Sequence, residues 1–308
     1  MIFPVVNSVF PVFILIAAGY LLKRYGLINK AFTDTGDRLI YYIFFPAMLF
    51  FKIGTSSAVN TFDSRYLSAV LASVALVFIL STIFLIIAEV PRFKRGSLSQ
   101  SAYRLNTYIG MAISLNAFGD NGAGLFSCLI GFVTPFINLF SIFILLWYSE
   151  STYTWMDKAR KMFYAVITNP FIISCLSGLL YAKFIGGMPV FLKNTFALSS
   201  SLTLPMALLS IGSKLTFNGV WNNFPLSAAG AVFKLFVLPL TGFSLMKWLN
   251  ISGLGFSIAM IYFVMPTSPA NYVLSSQLKS DTELASASIM VSTLFSIAPL
   301  SLVLLYVT

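Results

Sequence analysis

Met265-Pro266-Thr267-Ser268-Pro269-Ala270-Asn271 interrupts an otherwise apolar run from Ile251 to Leu278 that is long enough to cross a membrane. Two prolines three residues apart cannot both continue an α-helix, because each lacks an N–H and clashes with the preceding turn. In hydrocarbon, the freed backbone groups and the side chains of Thr267, Ser268 and Asn271 need partners or a polar cavity. The stretch therefore predicts a helix broken near the bilayer midplane with its backbone facing a solute. A proline kink packed against neighbouring helices is the plainer alternative.

The rest of the chain fits that setting. It has 58% hydrophobic and 9% charged residues and a mean hydropathy of +0.89, which places it among polytopic membrane proteins. The formal net charge of +10 would suggest nucleic acid in a soluble domain, but here the basic residues fall in short connections between apolar runs. With about 20 apolar residues per crossing, spans are expected near 4–23, 36–53, 66–89, 102–118, 123–147, 162–182, 191–213, 225–248, 253–277 and 284–307. Alternate connections collect Lys23, Arg24, Lys30, Arg38, Arg92, Lys94, Arg95, Arg104, Lys158, Arg160, Lys161, Lys214 and Lys279. The opposite set holds only Lys52, Arg65, Lys183, Lys193 and Lys247, a bias that predicts both termini outside.

A shift of 159 residues lays Pro11 on Pro170, Gly19 on Gly178, Pro46 on Pro205 and Leu49 on Leu208. The shift spans five crossings, so the second copy, 151–308, lies upside down relative to the first, 1–150. Transporters built this way place their sites at discontinuous helices in corresponding spans. The same shift puts the opening stretch on Asn106-Thr107-Tyr108-Ile109-Gly110 of span 4. A packing helix whose Gly110 admits a neighbour remains the alternative there.

Lys234 is the basic residue that belongs to neither set, since it lies about ten residues into span 8. An ammonium there costs about 2.5–3.5 kcal/mol, so it needs a reason. Three are open: counter-ion for an anionic substrate, stand-in for a coupling cation, or donor to exposed carbonyls of a broken helix. The acidic residues all map to connections or span ends, with Asp34, Asp37, Asp281 and Glu283 read as solvated helix caps. The sequence contains no histidine, which removes Ser-His-Asp and Cys-His catalysis. Cys128 and Cys175 sit in apolar runs as small core residues. No enzyme activity, cofactor or metal is implied.

Several segments, taken in order, resemble the auxin efflux carrier family of membrane transporters. They are Phe10-Pro11 to Gly19-Tyr20, Pro46 to Phe50, Arg104 to Gly110 and on to Phe118-Gly119, Asn169-Pro170 to Gly178, Leu204-Pro205 to Gly212, Lys234 with Pro239, and the opening stretch. The resemblance implies an all-α membrane protein of ten helices in two inverted five-helix repeats, with helices 4 and 9 broken and crossing. It implies a scaffold of spans 1, 2, 6 and 7, which is also the expected homodimer surface, and a mobile transport domain of spans 3–5 and 8–10. It implies a substrate site at Asn106, Thr107, Gly110, Pro266, Thr267, Ser268, Pro269 and Asn271, with Lys234 in the moving part.

Relatives commonly carry a proline two residues after the glycine matching Gly110. Here that position is Ala112, which predicts a less sharp break in span 4 than in span 9. Only about a dozen residues lie between spans 5 and 6, so the chain is more similar to bacterial permeases associated with malonate and malate than to long plant carriers. The expected function is passage of a small organic anion across the bacterial cytoplasmic membrane by alternating access. A sodium-coupled symporter like the bile-acid carriers and a membrane metabolite sensor are the rivals.

Overall fold

The computed structural model describes residues 2–56, 63–148, 167–215 and 219–308, together with 156–157, 160 and 163–164. The basic residues Lys158 and Lys161, and several residues at the start of span 6, lie outside the described residues. The described secondary structure is helical. In chain order the helices are α1 (Ile2–Arg24), α2 (Lys30–Thr55), α3 (Ser64–Ile87), α4 (Arg92–Tyr103), α5 (Thr107–Tyr148) and α6 (Pro170–Phe184). They continue with α7 (Val190–Lys214), α8 (Val220–Trp248), α9 (Gly253–Val264), α10 (Ala270–Gln277), α11 (Thr282–Phe295) and α12 (Ile297–Val307).

Six helical segments among the described residues are long and apolar enough to cross a membrane, or seven if α11 and α12, bent by 44°, form one span. The chain is a multi-pass membrane protein. Helices α6 and α9 are apolar but shorter. The 42 residues of α5 would extend about 63 Å if straight, twice the thickness of the hydrocarbon core. They do not run straight, because Gly119 adopts φ 62° and ψ −154°, outside the helical region and open to glycine. A Cβ added at Gly122 would lie 2.7 Å from the Ser114 carbonyl oxygen. Residues eight apart in a straight helix are about 12 Å apart, so the chain turns back at Gly119 and 107–118 packs against the segment that follows.

Two prolines mark changes of helical register. Ile40–Phe44 is a π-turn just before Pro46, and Phe233–Val237 is one just before Pro239. Proline removes one donor and crowds the carbonyl four residues back, and a wider turn relieves both. Lys234 lies in the second of these π-turns.

Helices α1 and α7 meet backbone to backbone, as do α2 and α6. A Cβ at Gly19 would collide with the Leu209 carbonyl, and one at Gly178 would lie 3.1 Å from the Phe50 carbonyl oxygen. These two contacts exchange under the 159-residue shift, which carries 19 to 178 and 50 to 209. The Thr203 hydroxyl donates to the Phe44 carbonyl at 3.3 Å, a pair that is itself 159 residues apart.

Three sequence expectations are corrected. The start of span 4 is not near residue 102: Arg92–Tyr103 is already a helix, buried from Gly96 onward, whose Ser97, Ser99, Gln100 and Ser101 kept its hydropathy low. Arg104 is consequently not in a connection but buried in the interior. The carboxylates are not all solvated caps. Asp37 sits in the second turn of α2, where Asn29 is the cap, and it pairs with Lys214 and Ser210 of α7. Asp281 does cap α11, accepting from the Leu284 N–H at 2.9 Å, but it is buried beside Lys94.

Gly19→Leu is expected to prevent the close α1–α7 approach and lower stability by about 1–3 kcal/mol. An unchanged melting temperature of the variant in detergent would contradict that packing.

Candidate functional site

Both sequence-predicted breaks are present, the first shorter than the second. In the first, α4 ends at Tyr103 and Arg104 leaves the helix with φ −68° and ψ 142°. Only 104–106 lie outside helix before α5 begins. The Asn106 side chain accepts from the N–H groups of Tyr108 at 3.2 Å and Ile109 at 3.3 Å, so Asn106 caps α5. In the second, α9 ends at Val264, Met265 is extended, and 265–269 lie outside helix. Ser268 closes this segment, its hydroxyl and carbonyl accepting from the N–H groups of Ala270 at 3.2 Å and Asn271 at 3.0 Å.

The two breaks touch. The Asn106 N–H donates to the Pro266 carbonyl at 2.8 Å. The Thr267 hydroxyl donates to the Ser101 carbonyl at 2.8 Å, and the Asn271 amide donates to the Ser97 carbonyl at 3.1 Å. The Thr267 bond has a backbone reason. A continued α4 would give the Ser101 carbonyl the N–H of Leu105, but the helix has ended, and the hydroxyl takes that role. A polar row extends along the interface: Ser97 donates to Ser275 at 2.9 Å, and Ser275 to the Asn271 oxygen at 3.3 Å.

Lys234 serves the second break. A continued α9 would pair the Phe263 carbonyl with the Thr267 N–H, but that N–H donates instead to the Ser292 hydroxyl at 3.0 Å. The Lys234 ammonium fills the vacancy at 3.0 Å and lies 5.8 Å from the centroid of the Tyr262 ring. It is fully buried, with no carboxylate within ion-pair distance among the described residues. The bond to a break carbonyl, one of three roles open in the sequence, is therefore made.

Of the other predicted residues, Asn106, Thr267 and Asn271 are fully buried, Gly110 and Pro266 are buried, and Thr107, Ser268 and Pro269 are partly exposed. Gly110 packs against Phe126 and Met265, so it brings α5's return strand of helix and the second break together. The predicted residues gather at the touching breaks, with Lys234 joined to them through the last turn of α9. Sequence reading missed Ser97, Gln100, Ser101 and Arg104. Their signal was the run Gly96-Ser97-Leu98-Ser99-Gln100-Ser101-Ala102, whose small and amide side chains suit a buried helix interface.

A family model described as membrane transport protein matches residues 157–304. The second half of the chain is thus similar to a membrane transport family. An uncharacterized transporter of Methanocaldococcus jannaschii is 24% identical over 297 residues, covering 94% of this chain and 95% of that protein. An uncharacterized transporter of Methanothermobacter thermautotrophicus is 23% identical over 305 residues, covering 96% of each. The likeness to these transporters thus runs through both breaks.

Thr267→Val keeps the side-chain shape but strips the Ser101 carbonyl of its donor. It is expected to cost about 1–3 kcal/mol, whereas Thr267→Ser stays near the parent; thermal unfolding of both in detergent checks this.

Proposed function

We propose that the protein is a secondary transporter of a small organic anion, a mono- or dicarboxylate, working by elevator-like alternating access. The observation that carries this reading is the Asn106–Pro266 backbone hydrogen bond, which joins two helix breaks in the protein interior. Irregular backbone at membrane depth is tolerated where it lines a solute path or is buried in protein. Breaks that meet and are ringed by amides, hydroxyls and a buried cation suit an anion better than they suit a scaffold. In this reading Asn106 and Asn271 offer amide donors, Thr107, Gly110, Pro266, Thr267, Ser268 and Pro269 shape the backbone around the substrate, and Lys234 contributes positive charge.

The proposed architecture is ten crossings in two inverted repeats, 1–150 and 151–308, with helices 4 and 9 crossing at their breaks. The exchange of the Gly19–Leu209 and Gly178–Phe50 contacts under the 159-residue shift supports it. So does the meeting of Phe44 with its own repeat mate, Thr203. The backbone contacts between α1 and α7 and between α2 and α6 suit a rigid scaffold. The polar bonds that join α8 to α9, and α4, α10 and α11 to the break after α9, suit a second body that moves as a unit against it. We place the protein in the cytoplasmic membrane with both termini outside, where the scaffold surface is available for pairing two copies.

A buried cation favours anion passage driven by the membrane potential, each charge gaining about 2.3 kcal/mol per 100 mV. A proteoliposome flux panel of mono- and dicarboxylates, each with and without proton and sodium gradients, tests substrate and coupling together. At least one carboxylate is expected to cross, and Lys234→Ala to reduce its flux at least tenfold. Uptake that vanishes without sodium would favour a symporter instead, and stabilisation by a carboxylate without flux would favour a sensor.

A further inference from the structure

A second buried cation stands at the first break, and its side chain is not fully committed. Arg104 is 6% exposed. Its guanidinium donates to the Gln100 side-chain oxygen at 3.3 Å and the Asn138 side-chain oxygen at 3.2 Å, both long bonds to neutral amides. Its Nε has no partner among the described residues, and none of the ion pairs among them involves it. Two residues on, Asn106 is fully buried and its Nδ2 also lacks a partner among the described residues. The Asn106 oxygen is held by the first turn of α5, so the amide nitrogen faces away from that helix. Both residues belong to the three-residue segment that joins α4 to α5, so the two unpartnered groups stand two residues apart at one break.

A buried guanidinium without a counter-charge is costly, and so is a buried amide N–H without an acceptor. One planar oxyanion removes both costs. A carboxylate matches the guanidinium fork, taking Nε–H and an adjacent Nη–H, and its second lone pairs accept from an amide.

We propose that the substrate carboxylate binds between Arg104 and Asn106, with Arg104 as its direct counter-charge. Lys234 then holds the second break, through the Phe263 carbonyl, and acts on the substrate only by its field. This inference rests on the anion-transport reading and names the contact within it. Because Arg104 is buried, the carboxylate reaches it only in a more open conformation. Asn106→Asp mimics the bound state: aspartate caps a helix as well as asparagine does, and it puts a carboxylate in the same break, two residues from Arg104.

The test uses the full-length parent, Arg104→Gln, Arg104→Lys and Asn106→Asp, with acetate, malonate and succinate as probes. Flux is measured in proteoliposomes and melting temperature in detergent. For the probe that the parent carries, Arg104→Gln is expected to raise KM at least tenfold and to remove the probe's stabilising shift. Arg104→Lys keeps the charge but loses the fork, so KM rises about tenfold with maximal rate within about twofold. Asn106→Asp melts higher than the parent and no longer responds to the probe.

A purely structural Arg104 would lower the melting temperature and leave KM alone. Parent flux with KM unchanged in Arg104→Lys, and in Arg104→Gln where that variant folds, overturns the inference and leaves the transport reading standing. A parent that neither carries nor is stabilised by any probe overturns both.

Discussion

Every backbone N–H and C=O inside a bilayer needs a partner within the protein, and this constraint governs the centre of the molecule. Pro266 and Pro269 end α9 and free carbonyls that a continuous helix would have satisfied. The interior is arranged around those vacancies. Lys234 reaches the Phe263 carbonyl, Ser292 takes the Thr267 N–H, and the Pro266 carbonyl finds the Asn106 N–H of the other break. The groups freed after α9 are thus met from three sides, by α8, by α11 and by the other break.

The same constraint explains why α4 is polar. Its Ser97 hydroxyl and Gln100 amide donate to the Ser275 hydroxyl, so an apolar helix there would leave Ser275 without those partners. A helix rich in serine and glutamine is expensive in lipid but economical when buried against other helices, where each hydroxyl can bond back to its own chain or across. This arrangement separates the two buried cations in role as well as place. The Lys234 ammonium meets a carbonyl displaced from its helical partner. Among the described residues, the Arg104 guanidinium meets only neutral amides and its Nε has no partner.

Much of this was readable from composition and pattern. The second break was legible because two prolines in an apolar run have few outcomes, and the first because the 159-residue shift pointed to Asn106. The break at Asn106 forms without the family proline, since a side-chain cap can start a new helix without one. Hydropathy misplaced the start of span 4 because it scores a side chain against lipid or water, whereas Ser97 to Ser101 face protein. For the same reason it left Arg104 in a connection.

The sequence by itself determined that the chain is helical and membrane-embedded, that the helix before Pro266 and Pro269 must end, and that Lys234 needs a special reason to be buried. Those follow from local chemistry: apolar length, missing N–H groups and the cost of a charge. Only the tertiary structure decided which orphaned group meets which donor. Hydrogen-bond partners such as Asn106 and Pro266, or Lys234 and Phe263, are set by how helices distant in sequence cross, and that geometry is not encoded in any one segment.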